Sequence, residues 1–140
     1  MNIEIHPTLL RDCIVVGKLA LCQLLLTNDS QYPWLILVPD RADLTDFDQL
    51  SEADTPLAHA DIKLVSAVLR KLFKPTKLNV AALGNVVPQL HIHVIARFET
   101  DVAWPQPVWG VKPLQPYGQD EAAELVERLR RALAPIVDHE

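Results

Sequence analysis

The chain has 140 residues, is 49% hydrophobic, and carries 13 basic against 18 acidic side chains, a net charge of −5. That length and apolar content suit a single domain, residues 1–140, whose core needs no disulfide or metal staple. The acidic balance argues against a protein whose main task is neutralising a nucleic-acid backbone, so an anionic ligand must be held by local groups.

The N-terminus lacks a basic leader followed by an apolar stretch, and no apolar run reaches the ~20 residues needed to span a bilayer, so a soluble, cytoplasmic protein with no membrane partner is expected. Cys13 and Cys22 lie in apolar runs without metal-knuckle or redox spacing and read as buried thiols of a reducing compartment. After a short segment opened by His6-Pro7, residues 14–19, 21–27 and 34–39 are rich in branched and aliphatic side chains and read as three successive strands of an antiparallel meander. The break at 28–33, Asn-Asp-Ser-Gln-Tyr-Pro, is a tight polar connection.

Ser51, with Asp54 three residues on, opens a long helix in which Ala58, Ile62, Val65, Leu69 and Leu72 recur at helical spacing. Opposite them His59, Lys63, Ser66 and Arg70 form a polar stripe, and Pro75 ends the helix near Phe73. Residues 78–83 and 90–98 are read as the fourth and fifth strands. The segment 104–118, with four prolines among Trp104, Trp109 and Tyr117, is expected to be ordered but irregular. Residues 120–134 form a closing amphipathic helix. The expected fold class is α+β: a five-stranded antiparallel sheet with a long helix packed on it and a C-terminal helix.

The chemistry concentrates in Gln89-Leu90-His91-Ile92-His93-Val94. On a strand, alternate side chains share a face, so Gln89, His91, His93 and, if the strand runs on, Arg97 would point one way and Leu90, Ile92, Val94 and Ala96 the other. Two imidazoles and an amide in a row are hard to explain as core. The isolated His6, His59 and His139 read as structural or solvated.

Residues 78–97 resemble the signature strand-loop-strand of the histidine-triad (HIT) family, whose pattern is His-φ-His-φ-His-φ-φ with φ apolar. Tyr32-Pro33-Trp34-Leu35-Ile36-Leu37-Val38-Pro39 followed by Leu50-Ser51-Glu52-Ala53-Asp54 resembles that family's strand and helix start, so the likeness spans about residues 14 to 98. Trp104-Pro105-Gln106-Pro107-Val108-Trp109-Gly110 is similar to a bacterial branch described as diadenosine-tetraphosphate-hydrolase-like. Two departures stand out. Gln89 replaces the first His while His91 and His93 keep the second and third positions, and the preceding loop is shorter than the family's Gly-rich version.

The resemblance implies a HIT-like fold acting on a nucleoside phosphate, a dinucleoside polyphosphate or a nucleoside phosphoramidate, with His91 as the nucleophile that forms a nucleotidyl-histidine. An imidazole serves this way at neutral pH if its other ring nitrogen donates to a fixed acceptor such as a backbone carbonyl. His93 and Gln89 would hold that geometry and donate to phosphate oxygens. Asn85 or Asn79 would contact phosphate, Arg97 would reach a distal phosphate unless it is a solvated surface charge, and Asn28 or Asp29 would bind ribose unless they only form the turn. No cofactor or metal is required. A two-fold homodimer is implied, with Trp104 and Trp109 covering either the ligand or, as favoured here, the dimer contact. Two other readings stay open: a His-x-His metal site completed by Asp101 or His59, and a nucleotide binder with little turnover.

Overall fold

A computed structural model describes residues 2–134. It contains strands β1 (Cys13–Lys18), β2 (Cys22–Thr27), β3 (Trp34–Pro39), β4 (Lys77–Ala81) and β5 (Ile92–Arg97) and helices α1 (Pro7–Asp12), α2 (Asp54–Phe73) and α3 (Gln119–Leu133), with a 3-10 turn at Phe47–Gln49. The strands form one antiparallel sheet in the order β1-β2-β3-β5-β4, the expected α+β architecture. Every residue of β2, β3 and β5 is buried, as continuous apolar strands covered on both faces should be. The edge strand β4, Lys-Leu-Asn-Val-Ala, leaves Lys77 and Val80 exposed.

One face of the sheet carries α2 and α3. Leu24, Leu26, Leu35, Leu37, Ile92 and Val94 meet Val65 and Leu69 of α2 and Leu129 and Leu133 of α3. Ser51 Oγ accepts from Asp54 N at 3.1 Å at the start of α2, and Lys74 takes a left-handed conformation just before Pro75 at its end. Asp61, in register with the apolar stripe, is buried and accepts from the backbone N–H of Ala20, Leu21 and Cys22 at 3.2, 2.9 and 2.9 Å. This carboxylate closes the β1–β2 connection onto α2, satisfying three backbone donors that would otherwise be stranded.

The other face carries a second cluster, in which Leu25, Trp34, Ile36 and Ile95 pack against Ile5, Leu9, Tyr32, Val87 and Val108. Its cover is α1 and loops. The reading of the sequence left residues 7–12 without structure, yet Pro7 stands at the first turn of α1 and His6 Nδ1 accepts from Thr8 N at 3.1 Å. Residues 104–118 hold no regular element, as expected. The fifth strand starts at Ile92, two residues later than expected, because Leu90 N is drawn to Leu44 O at 2.9 Å and residues 89–91 lie outside the ladder. No helix among the described residues is long and apolar enough to cross a membrane. His139 lies outside the described residues.

Candidate active site

His91 and His93 are 6% and 5% exposed, with ring centroids 4.9 Å apart. The Nδ1 of His91 lies 2.7 Å from the backbone oxygen of Gln89. A carbonyl only accepts, so Nδ1 carries a proton, and in the neutral ring Nε2 is the nitrogen that keeps its lone pair. The fixed carbonyl acceptor expected for a nucleophilic imidazole is supplied by the residue two positions before it. His93 has the complementary arrangement: its Nδ1 accepts from Trp34 Nε1–H at 3.0 Å, so in the neutral ring Nε2 is the donor. Burial, reinforced by the neighbouring His91, pushes the His93 imidazole down to about 3, and it stays uncharged at neutral pH.

Both histidines line a cavity of about 410 Å³ whose walls come from α1 (Thr8, Leu9, Asp12), the sheet (Cys13, Thr27, Trp34, Ile36), the 83–87 loop and Trp109 with Leu114. Gly84 shapes that loop with φ +79°, a conformation that costs a side-chain-bearing residue strain. Burial raises the Cys13 thiol to about 11, which keeps it protonated and makes it a poor rival nucleophile. His91 also lines a second cavity of about 320 Å³, walled by Thr45, Asp46, Asp48, Ala82 and Leu83. The imidazole thus stands between two spaces.

A HIT domain model matches residues 10–100. The chain belongs to the HIT family. The fold agrees with solved HIT proteins over nearly its whole length. A histidine triad protein from Bradyrhizobium japonicum is 42% identical with a TM-score of 0.90, covering 94% of this chain and 98% of that one. One from Sinorhizobium meliloti is 43% identical with a TM-score of 0.90, covering 93% and 96%. One from Marinobacter aquaeolei is 36% identical with a TM-score of 0.93, covering 98% and 100%. No curated protein matches this HIT chain.

Against that frame of neighbours, the residues singled out in the sequence divide. His91, His93 and the exposed Asn85 line the same cavity. Gln89 contributes its backbone oxygen, but its side chain leaves the row: Oε1 accepts from His6 N at 2.8 Å and Nε2 donates to Glu4 O at 3.0 Å. Strand alternation does not govern a residue that precedes the strand, and the amide became a clamp on the N-terminal segment.

Arg97 is 2% exposed and spends its guanidinium on Asp101 at 2.8 and 3.1 Å, Asn79 Oδ1 at 2.8 Å and Gln106 O at 2.8 Å, between the Tyr32 and Trp104 rings. It is neither a solvated charge nor placed for a distal phosphate, and Asn79 is its partner. Asn28 Oδ1 accepts from Tyr117 N at 3.0 Å. Asp29 Oδ1 accepts from Gln31 N and Nε2 at 3.1 and 3.0 Å, with Gln115 N at 3.4 Å. These two close the β2–β3 turn onto the 113–117 segment, and neither lines the cavity.

Trp109 packs edge-on to His93, with centroids 5.0 Å apart, so the aromatic favoured for a dimer contact is part of the site wall. His59 is exposed and Asp101 is held by Arg97; among the described residues no group of three His, Cys, Asp or Glu side chains could hold a metal ion. The sequence reading missed Thr8, Leu9, Asp12 and Thr27 as wall residues. The Pro7 helix start was the one local signal for the first three.

Proposed function

We propose that this HIT protein is a nucleotide hydrolase or nucleotidyl transferase acting through a covalent nucleotidyl-histidine on His91. The observation that carries the reading is the His91 Nδ1–H···O=C bond to Gln89, which in the neutral ring leaves the Nε2 lone pair free beside a cavity large enough for a nucleotide. Family membership supports it, since HIT proteins bind nucleotides and many transfer or hydrolyse them.

In the first step the Nε2 lone pair attacks the α-phosphorus, the bond to the leaving group breaks, and the leaving group departs with that electron pair, an amine leaving group taking its proton from solvent. In the second, water attacks the same phosphorus, the phosphorus–nitrogen bond breaks, and a nucleoside 5′-monophosphate leaves with His91 restored. His93 donates Nε2–H to a non-bridging oxygen, and Asn85 supplies an amide donor to the phosphate. Gln89 acts through its carbonyl; its side chain secures the segment that carries it. No metal or cofactor takes part in this scheme.

Of the two substrate classes, the nucleoside phosphoramidate is favoured over the dinucleoside polyphosphate. Asp46 and Asp48 wall the second cavity beside His91, and two carboxylates disfavour a polyanionic leaving group there. The same reading includes a two-fold homodimer joined through an open sheet edge, β1 or β4, and a reducing cytoplasmic setting, in keeping with the free thiols of Cys13 and Cys22.

The decisive experiment is trapping by a denaturing alkaline quench, in which a phosphorus–nitrogen bond to imidazole survives, after mixing with adenosine 5′-phosphoramidate or diadenosine tetraphosphate. Intact-mass measurement should find one adenylyl group on the wild-type chain, mapped to His91, with faster turnover of the phosphoramidate. Rapid turnover with no adduct at any quench time would sink the covalent mechanism. Binding of nucleotide without turnover of either compound would favour the binder reading.

A further inference from the structure

Trp34 opens β3, and its side chain walls the cavity beside the two imidazoles. In the β3–β5 ladder Trp34 stands opposite Ile95 and Ile36 opposite His93, so the indole is the diagonal neighbour of His93 on the cavity face. It is 7% exposed and is met edge-on by Tyr32 and Trp109, with ring centroids 6.3 and 6.0 Å away. The chain just before it is tied to β5, where Pro33 O accepts from Ala96 N at 2.9 Å. From this rigid seat Trp34 Nε1–H donates to His93 Nδ1 at 3.0 Å.

An indole N–H donates and never accepts, so it selects one tautomer of its partner: a proton on Nδ1 would meet the indole proton head-on. A hydroxyl in the same place could rotate to serve either tautomer. Two further rings flank His93, His91 at 4.9 Å and Trp109 at 5.0 Å between centroids. A half-turn of the imidazole would set a carbon against the indole N–H and strand a buried donor.

Resting on the reaction read at His91, we propose that Trp34 is a positioning residue, whose indole N–H locks His93 as a fixed Nε2–H donor to the phosphate in both half-reactions. The proton stays on His93 throughout. Passing it on would need a replacement at Nδ1, where the lone pair is committed to the indole, or would leave an imidazolate anion in a buried site. His93 therefore stabilises charge and is not a proton relay.

Two-bond 1H–15N correlation spectra of the histidine side chains at pH 7, with His93 assigned by the signals lost in His93→Gln, test the lock. Wild type should show a bare Nδ1 and a protonated Nε2 at His93, with a scalar coupling across the hydrogen bond from Trp34 Nε1 to Nδ1. Trp34→Phe keeps an aromatic ring and removes the donor, so its His93 nitrogens should average between the two tautomers. With adenosine 5′-phosphoramidate this variant should lose about tenfold in kcat, less than for a deleted donor because the correct tautomer is still visited, with KM within about twofold of wild type. A ring that only fills the wall would raise KM and spare both kcat and the spectrum, an outcome that overturns the inference. A protonated Nδ1 in wild type overturns it without any variant, and so does an unchanged tautomer in Trp34→Phe. Absence of turnover by wild type instead removes the reaction read at His91, and the positioning role with it, even where the spectrum shows the lock.

Discussion

The two faces of the sheet are built by different means. One is covered by α2 and α3, whose apolar stripes pack Val65, Leu69, Leu129 and Leu133 onto the inner strands. The other is covered by a six-residue helix and by loops, and it keeps the cavity and the two buried imidazoles. Long amphipathic helices fill the space they cover; short segments anchored by single hydrogen bonds leave gaps. The first face supplies most of the apolar burial, and the second supplies positioned polar groups at some cost in packing. Stability and chemistry should therefore respond to different substitutions.

The sharpest separation is expected at His91. His91→Ala should lower turnover by about four orders of magnitude or more, as loss of a nucleophile does, with a melting temperature close to wild type. Retained activity, or a large fall in melting temperature, breaks the distinction between the faces. Leu69→Ala makes the converse case. This side chain is fully buried in the helical face, and its truncation should cost about 3 kcal/mol in denaturant unfolding while the folded fraction keeps its kcat. A changed kcat would show that the helical face steers the site directly.

Acid should act through the cavity face. The unfolded chain takes up a proton at His93 near the ordinary imidazole value of 6.5, whereas the folded chain resists until about 3. Stability from this group is complete above 6.5 and falls with acidification, by about 1.4 kcal/mol per pH unit, so about 2 kcal/mol is lost by pH 5. Denaturant titrations at pH 7 and pH 5 of wild type and His93→Gln should show the extra pH dependence only in wild type. The same variant should lose roughly a hundredfold in kcat as a displaced donor. Parallel pH profiles for the two proteins would place the acid sensitivity elsewhere.

Gln89→Ala should give the smallest effect. Removing the clamp on Glu4 and His6 should lower stability by about 1 kcal/mol and leave kcat near wild type, because the carbonyl that holds His91 remains. A fall in kcat at unchanged stability would return the amide to the reacting phosphate.

The helical face was the legible one, since periodicity is a property of long elements. The stripe from Ala58 to Leu72 and the Lys74-Pro75 end follow from sequence, whereas Asp61, an acid in register with Ala58 and Val65, went unread. The continuous apolar runs of β2 and β3 were equally readable. On the other face the His91-x-His93 spacing survived because it is local, but partners distant in sequence did not: Gln89 to His6 is 83 residues apart and Trp34 to His93 is 59. Arg97 read as a distal-phosphate contact or a solvated charge because its pairing with Asn79 and Asp101 depends on the β4–β5 register and a loop. Asn28 and Asp29 carry the same residue types for a turn as for a sugar, and composition alone does not choose.

The HIT model ends at residue 100 and begins at residue 10, yet Thr8, Leu9, Trp109 and Leu114 help to wall the cavity from outside those limits. The imidazole pair and its carbonyl lie within the matched region, while these four wall residues lie beyond it. Substitutions in the flanks can therefore retune which molecule enters without disturbing the reacting groups. Among related proteins, ligand preference should track the sequences before residue 10 and after residue 100 more closely than it tracks the motif itself.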